Sequence, residues 1–85
     1  MQITLKLYAT LMGYLPEGTN ADKHAVKVEV PDQASAYTVI DQFNVPREMA
    51  HLVLLNGIYL HPSERDQPRF KDGDTLAIWP PVAGG

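Results

Sequence analysis

Cysteine is absent from this chain of 85 residues, and its absence rules out disulfide staples, thiolate metal sites and a cysteine nucleophile. No apolar run approaches the roughly 20 residues needed to cross a bilayer. A basic surplus is missing too. Seven Lys and Arg stand against ten Asp and Glu, for a formal charge of −3, so neither a nucleic-acid face nor a membrane surface is expected as a partner. Met1-Gln2-Ile3-Thr4 lacks the basic region and apolar block of a secretion signal, and a cytoplasmic, unprocessed protein is expected. A hydrophobic share of 45% suits one small globular domain with a modest core.

Gln2 to Tyr8 alternates, with Ile3, Leu5 and Leu7 on one side and Thr4, Lys6 and Tyr8 on the other. That is the period of a half-buried strand. Ala25 to Val30 alternates in the same way until Pro31-Asp32. Between them, Ala9 to His24 starts apolar and ends polar, which reads as a short helical turn and then a loop, with Tyr14 and Leu15 over the core. Ser35 is placed to cap a helix of about nine residues, because its hydroxyl can accept from the first free amides. Ala36, Val39, Ile40 and Phe43 make its apolar face, and Asn44 and Pro46 end it.

His51 to Leu55 and Ile58 to His61 flank Asn56-Gly57. This dipeptide suits a two-residue hairpin whose turn needs positive φ at both positions. The hairpin would set Leu55 opposite Ile58 and Leu54 opposite Tyr59, with Val53, Leu55, Ile58 and Leu60 facing the helix. Lys71-Asp72-Gly73-Asp74 closes a polar segment as a tight turn. Thr75 to Trp79 is the last strand, stopped by Pro80-Pro81, which cannot donate to a ladder. Five strands and one amphipathic helix make a two-layer α+β domain over residues 1–79, with residues 80–85 as a flexible tail.

Nothing inside the domain offers reactive chemistry. His24, His51 and His61 lie in separate segments without ligand spacing, so no metal is expected. The chain ends Pro80-Pro81-Val82-Ala83-Gly84-Gly85. Six extended residues reach about 20 Å, and a tip without Cβ atoms can enter a narrow channel. The carboxylate of Gly85 is therefore the best candidate for a reactive group. Joined to AMP it becomes an electrophile, and a sulfur nucleophile can then leave a thiocarboxylate. The same adenylated tail can instead be passed to a lysine amine, and a plain interaction domain with an inert tail remains a third possibility.

The whole chain resembles the MoaD/ThiS family of ubiquitin-like sulfur carriers. The resemblance rests on Leu5-Lys6-Leu7-Tyr8-Ala9, Leu54-Leu55-Asn56-Gly57, Lys71-Asp72-Gly73-Asp74-Thr75-Leu76 and, most specifically, Trp79-Pro80-Pro81-Val82-Ala83-Gly84-Gly85. It implies a ubiquitin-like β-grasp fold, a mixed sheet of about five strands on one main helix. It also implies a carrier that is no enzyme on its own but the small subunit of a molybdopterin-synthase-type sulfurtransferase. Gly85 would carry the adenylate and then the thiocarboxylate, with Gly84 as its flexible neighbour, and no cofactor would be held permanently. The implied partners are a ubiquitin-activating-type adenylating enzyme (MoeB/ThiF-like) and a sulfur-acceptor subunit (MoaE-like, or thiazole-synthase-like). The long connection from Ala9 to His24 is closer to the MoaD branch, which serves the pterin of molybdenum and tungsten cofactors, than to the thiamin branch. The resemblance is weakest from Gly13 to Lys23, and Trp79 stands where that branch often has phenylalanine or leucine.

Strand parity supplies a second expectation. Tyr8, Leu54, Tyr59 and Trp79 lie on the outward side of their strands. An apolar cluster of this kind is more than a monomer needs. Together with Pro80, Pro81, Val82 and Ala83 it would grip the partner.

Overall fold

The structure is a computed structural model that describes residues 1–16 and 24–81. The loop 17–23 and the tail residues Val82, Ala83, Gly84 and Gly85 lie outside the described residues. Five strands form one sheet: β1 (Gln2–Leu7), β2 (Ala25–Glu29), β3 (Leu52–Leu55), β4 (Ile58–Tyr59) and β5 (Thr75–Trp79). Their spatial order is β2-β1-β5-β3-β4. β1 runs parallel to β5, and every other neighbouring pair is antiparallel. One helix, α1 (Ala36–Gln42), packs on the sheet, and short 3-10 turns occupy Ala9–Tyr14, Arg47–Met49 and Pro62–Glu64.

The alternation in the sequence becomes the core. Ile3, Leu5, Leu7, Val53, Leu76 and Ile78 are buried from the strands, and Ala36, Val39 and Ile40 meet them from α1. Ser35 caps the helix as expected: its hydroxyl accepts from the Thr38 amide at 3.1 Å, and the Thr38 hydroxyl accepts from the Ser35 amide at 3.0 Å. The helix is seven residues rather than nine, because Phe43 already leaves helical geometry and Asn44 turns left-handed at φ 62°. Asn56 and Gly57 have φ of 51° and 84°, the pair of positive values that a twisted two-residue hairpin needs. The Asn56 side chain also ties that hairpin to β5, accepting from the Thr75 amide at 2.9 Å and donating to Asp74 at 3.1 Å.

Two packing expectations are corrected. Ile58 pairs with Leu55 as expected, yet it is 71% exposed. β4 is an edge strand of two residues, and a seven-residue helix spans only about 10 Å, too little to cover it. Tyr14 does not lie over the core but is exposed at the end of its 3-10 turn, whereas Leu11 and Leu15 pack inward.

Arg65 has no counterpart in the sequence reading. It is 4% exposed and forms no ion pair among the described residues. Its Nε donates to the Leu60 carbonyl at 3.0 Å, Nη1 to Ala50 at 2.9 Å and Nη2 to His51 at 3.2 Å. One guanidinium thus satisfies carbonyls at the entry to β3 and the exit of β4.

Candidate functional site

β1 and β5, being parallel, stop at the same end of the sheet. The amide of Tyr8 donates to the Ile78 carbonyl at 3.1 Å, the last rung between them. Ala9 then takes φ 54°, an uncommon value for a residue with a Cβ, and this turns the chain off the strand into the turn Ala9–Tyr14. On the other strand, His51 donates its amide to the Trp79 carbonyl at 3.0 Å, and Pro80 ends the ladder.

The chain thus leaves the sheet from a strand end bounded by aromatic rings. Tyr8 and Trp79 lie in register on the outward face, their rings 4.2 Å apart and 1° from parallel. Leu52 pairs with Trp79 on the next strand. Beside the indole is an apolar hollow of about 450 Å³, lined by Ala9, Thr10, His51, Leu52, Trp79, Pro80 and Pro81. Three separate stretches of chain build it, and the third leads directly into the tail.

Of the eight residues expected to grip a partner, the structure brings together Tyr8, Trp79, Pro80 and Pro81. Leu54 lies on the same face but two residues along β3, level with Ala77, and is half-buried. The expected grouping of Tyr59 with Tyr8 and Trp79 is corrected. Tyr59 pairs with Leu54, one strand beyond and two residues away from the Trp79 level, a backbone separation of about 12 Å. Its hydroxyl accepts from Arg65 at 3.4 Å, and its ring meets His61 edge-on at 4.9 Å. Val82, Ala83, Gly84 and Gly85 lie outside the described residues.

Apolar walls predominate in the hollow, with Thr10 and His51 as the polar members. Among the described residues no group of three or more His, Asp or Glu could hold a metal ion, and no helix is long and apolar enough to cross a membrane. The Asp41 carboxyl, held below the usual aspartate range by its hydrogen bond and charge contact with Arg47, lies outside the hollow. Strand parity puts Leu52 on the outward face, whereas sequence reasoning missed His51, Ala9 and Thr10 as members of the site. Register links Leu52 to Trp79, but the turn at Ala9 leaves no local signature.

A mixed five-stranded sheet in this order on one main helix defines the chain as a ubiquitin-like β-grasp protein. The model of the ThiS family matches residues 10–85, and the chain belongs to the ThiS family. No curated protein matches it in sequence. Among solved structures, the Haloferax volcanii protein HVO 2177 superposes with a TM-score of 0.77 at 21% identity, covering 100% of this chain and 87% of that one. Small archaeal modifier protein 1 of H. volcanii gives 0.61 at 24% identity, covering 95% of this chain and 98% of its own. Molybdopterin-converting factor from Helicobacter pylori, solved as a complex of subunits 1 and 2, gives 0.56 at 18% identity, with 100% of both chains covered. At these identities the likeness to the solved structures is one of fold.

Proposed function

We propose that this protein is a sulfur carrier whose C-terminal glycine, Gly85, is adenylated and converted to a thiocarboxylate. The observation that carries this reading is the extent of the family match, which runs through both final glycines to residue 85. The geometry supports it from the other side, since the strand leading to those glycines ends beside a preformed apolar hollow.

A carboxylate is a poor electrophile. On an adenylating partner it attacks the α-phosphorus of ATP, pyrophosphate leaves, and the acyl-adenylate forms. A sulfur nucleophile adds to the activated carbonyl and AMP departs. Where that nucleophile is a persulfide, a thiol then attacks the donor's own sulfur, the donor leaves as a disulfide, and the thiocarboxylate is released, ionised at neutral pH and nucleophilic as thiolates are. The chain supplies no acid or base to these steps. It supplies the arm, 80–85, and on the body, 1–79, the face that orients it, in the manner of a group carrier. Tyr8, Leu54, Trp79, Pro80 and Pro81 would contact the adenylating enzyme and then a sulfur-acceptor subunit, with Val82 and Ala83 following into the partner. The acceptor we favour is one that builds the dithiolene of a molybdenum or tungsten pterin, given the fold shared with a chain of the H. pylori molybdopterin-converting factor complex.

Intact-mass spectrometry of protein from its native host tests the reading. A gain equal to replacing one oxygen by sulfur, lost on deleting Gly85, is expected. The deletion should also abolish pyrophosphate exchange into ATP with the cognate adenylating enzyme, at unchanged melting temperature. Undiminished exchange without Gly85 would overturn the proposal. A second reading, a protein modifier, draws on the fold shared with small archaeal modifier protein 1. Its signature would be isopeptide conjugates on target lysines.

A further inference from the structure

The ring stack has a third member. The His24 ring lies 4.8 Å from that of Tyr8 at an interplanar angle of 30°. Because β1 runs between β2 and β5 in the sheet, Tyr8 is the middle ring, with His24 on the β2 side and Trp79 on the β5 side. We infer that His24 is a positioning residue: it backs the Tyr8 ring, and through it holds the Trp79 indole that walls the hollow.

Backbone geometry makes this arrangement distinctive. The amide of Leu7 donates to the His24 carbonyl at 2.8 Å, which sets His24 level with Leu7, a wholly buried core residue. Strand alternation alone would send both side chains inward. The chain instead bends at His24, just before β2 begins at Ala25, and the imidazole lies against Tyr8. A half-buried ring has been turned out of the core direction and onto an aromatic face.

Tyr8 and Trp79 need such support. Each stands where its own strand ceases, Tyr8 before the left-handed Ala9 and Trp79 before Pro80. Neither ring has a next outward residue on its own strand to lean against. A ring contacted on one face can still swing, whereas rings stacked on both faces of Tyr8 leave it little freedom, and offset or parallel aromatic contacts are favourable beyond the area they bury. An indole ordered before encounter also loses less entropy on docking. That last step rests on the docking role proposed above for Trp79; the ordering itself does not.

Trp79 is the only tryptophan, so its indole reports without ambiguity. The test compares wild type with His24→Ala and His24→Phe in three measurements: the order parameter of the indole Nε1–H, the melting temperature, and affinity for the adenylating enzyme. His24→Ala should bring the indole into the flexible range, below about 0.6, with melting almost unchanged. Affinity should weaken about fivefold, the scale of one lost ring contact, and His24→Phe should restore both. Tyr8→Ala should loosen the indole at least as much. An indole equally ordered in wild type and His24→Ala would overturn the inference. So would a His24→Ala chain that melts far lower and is not rescued by His24→Phe, since His24 would then serve the fold alone. A loosened indole with undiminished affinity would leave His24 as its positioner and remove Trp79 from the docking face.

Discussion

Arg65 donates from Nη1 to the carbonyl of Ala50, fifteen residues earlier in the chain, at 2.9 Å. The same guanidinium holds the carbonyls of Leu60 and His51. A charge this buried is costly unless every donor is used and every acceptor needs it. Removing it orphans the carbonyls of Leu60 and Ala50, whose bonds to the guanidinium are buried. Arg65→Met should therefore destabilise the domain by about 2–4 kcal/mol, lowering its melting temperature by about 8 °C or more on the scale of about 4–8 °C per kcal/mol. Arg65→Lys should recover little, because one ammonium cannot span three carbonyls. Thermal unfolding followed by circular dichroism decides it, and an Arg65→Met chain that melts like wild type would show the network to be dispensable.

Trp79→Ala removes a half-buried ring that stacks on Tyr8 rather than filling the core. Its stability cost should be about 1–2 kcal/mol, well short of unfolding. Affinity for the adenylating partner should fall about thirtyfold or more, as truncation of a central aromatic commonly does. Calorimetric titration and a melt of the same sample separate the two effects. Normal affinity in the folded variant would reduce the stack to surface decoration.

Asp41 and Arg47 form a two-pronged pair, with contacts of 2.7 and 3.1 Å, and the guanidinium also lies 4.1 Å over the Tyr37 ring. The pair lowers the Asp41 pKa, chiefly through the hydrogen bond from Arg47. A carboxyl lowered on folding stabilises above its unfolded value of about 3.9, and that contribution disappears as pH falls from there through the lowered folded value. Wild type should thus exceed Asp41→Asn in stability at neutral pH by a small margin that closes in acid. Because both side chains are exposed to solvent, the margin should also shrink in high salt. Urea unfolding across pH, at low and high salt, measures it. A margin that persists in strong acid would mean that the carboxylate charge is not its source.

Much of this fold was legible because its signals are local and strong. Alternation placed β1 and β2 within a residue, Asn56-Gly57 placed the hairpin of β3 and β4, Pro80-Pro81 placed the end of β5, and Ser35 placed the helix start. What was not legible depends on contacts far apart in sequence. Arg65 sits in a polar stretch without periodicity, and nothing nearby says that three distant carbonyls converge on it. Parity correctly put Tyr59 on the outer face, but it is silent about Arg65, which engages its hydroxyl. Alanine at position 9 gives no hint of a left-handed backbone. The bend at His24 defeats alternation at the one place where alternation would have buried the ring.

The last strand in sequence order among the described residues, β5, lies in the middle of the sheet, between β1 and β3. Without residues 75–79, the β1–β2 and β3–β4 pairs share no edge within the sheet. The hollow likewise requires residues near 10, near 50 and near 80 at once. A chain that stops before residue 75 therefore cannot assemble this hollow. On the carrier reading proposed above, the contact that seats the arm would form only on a chain whose sheet has closed around β5.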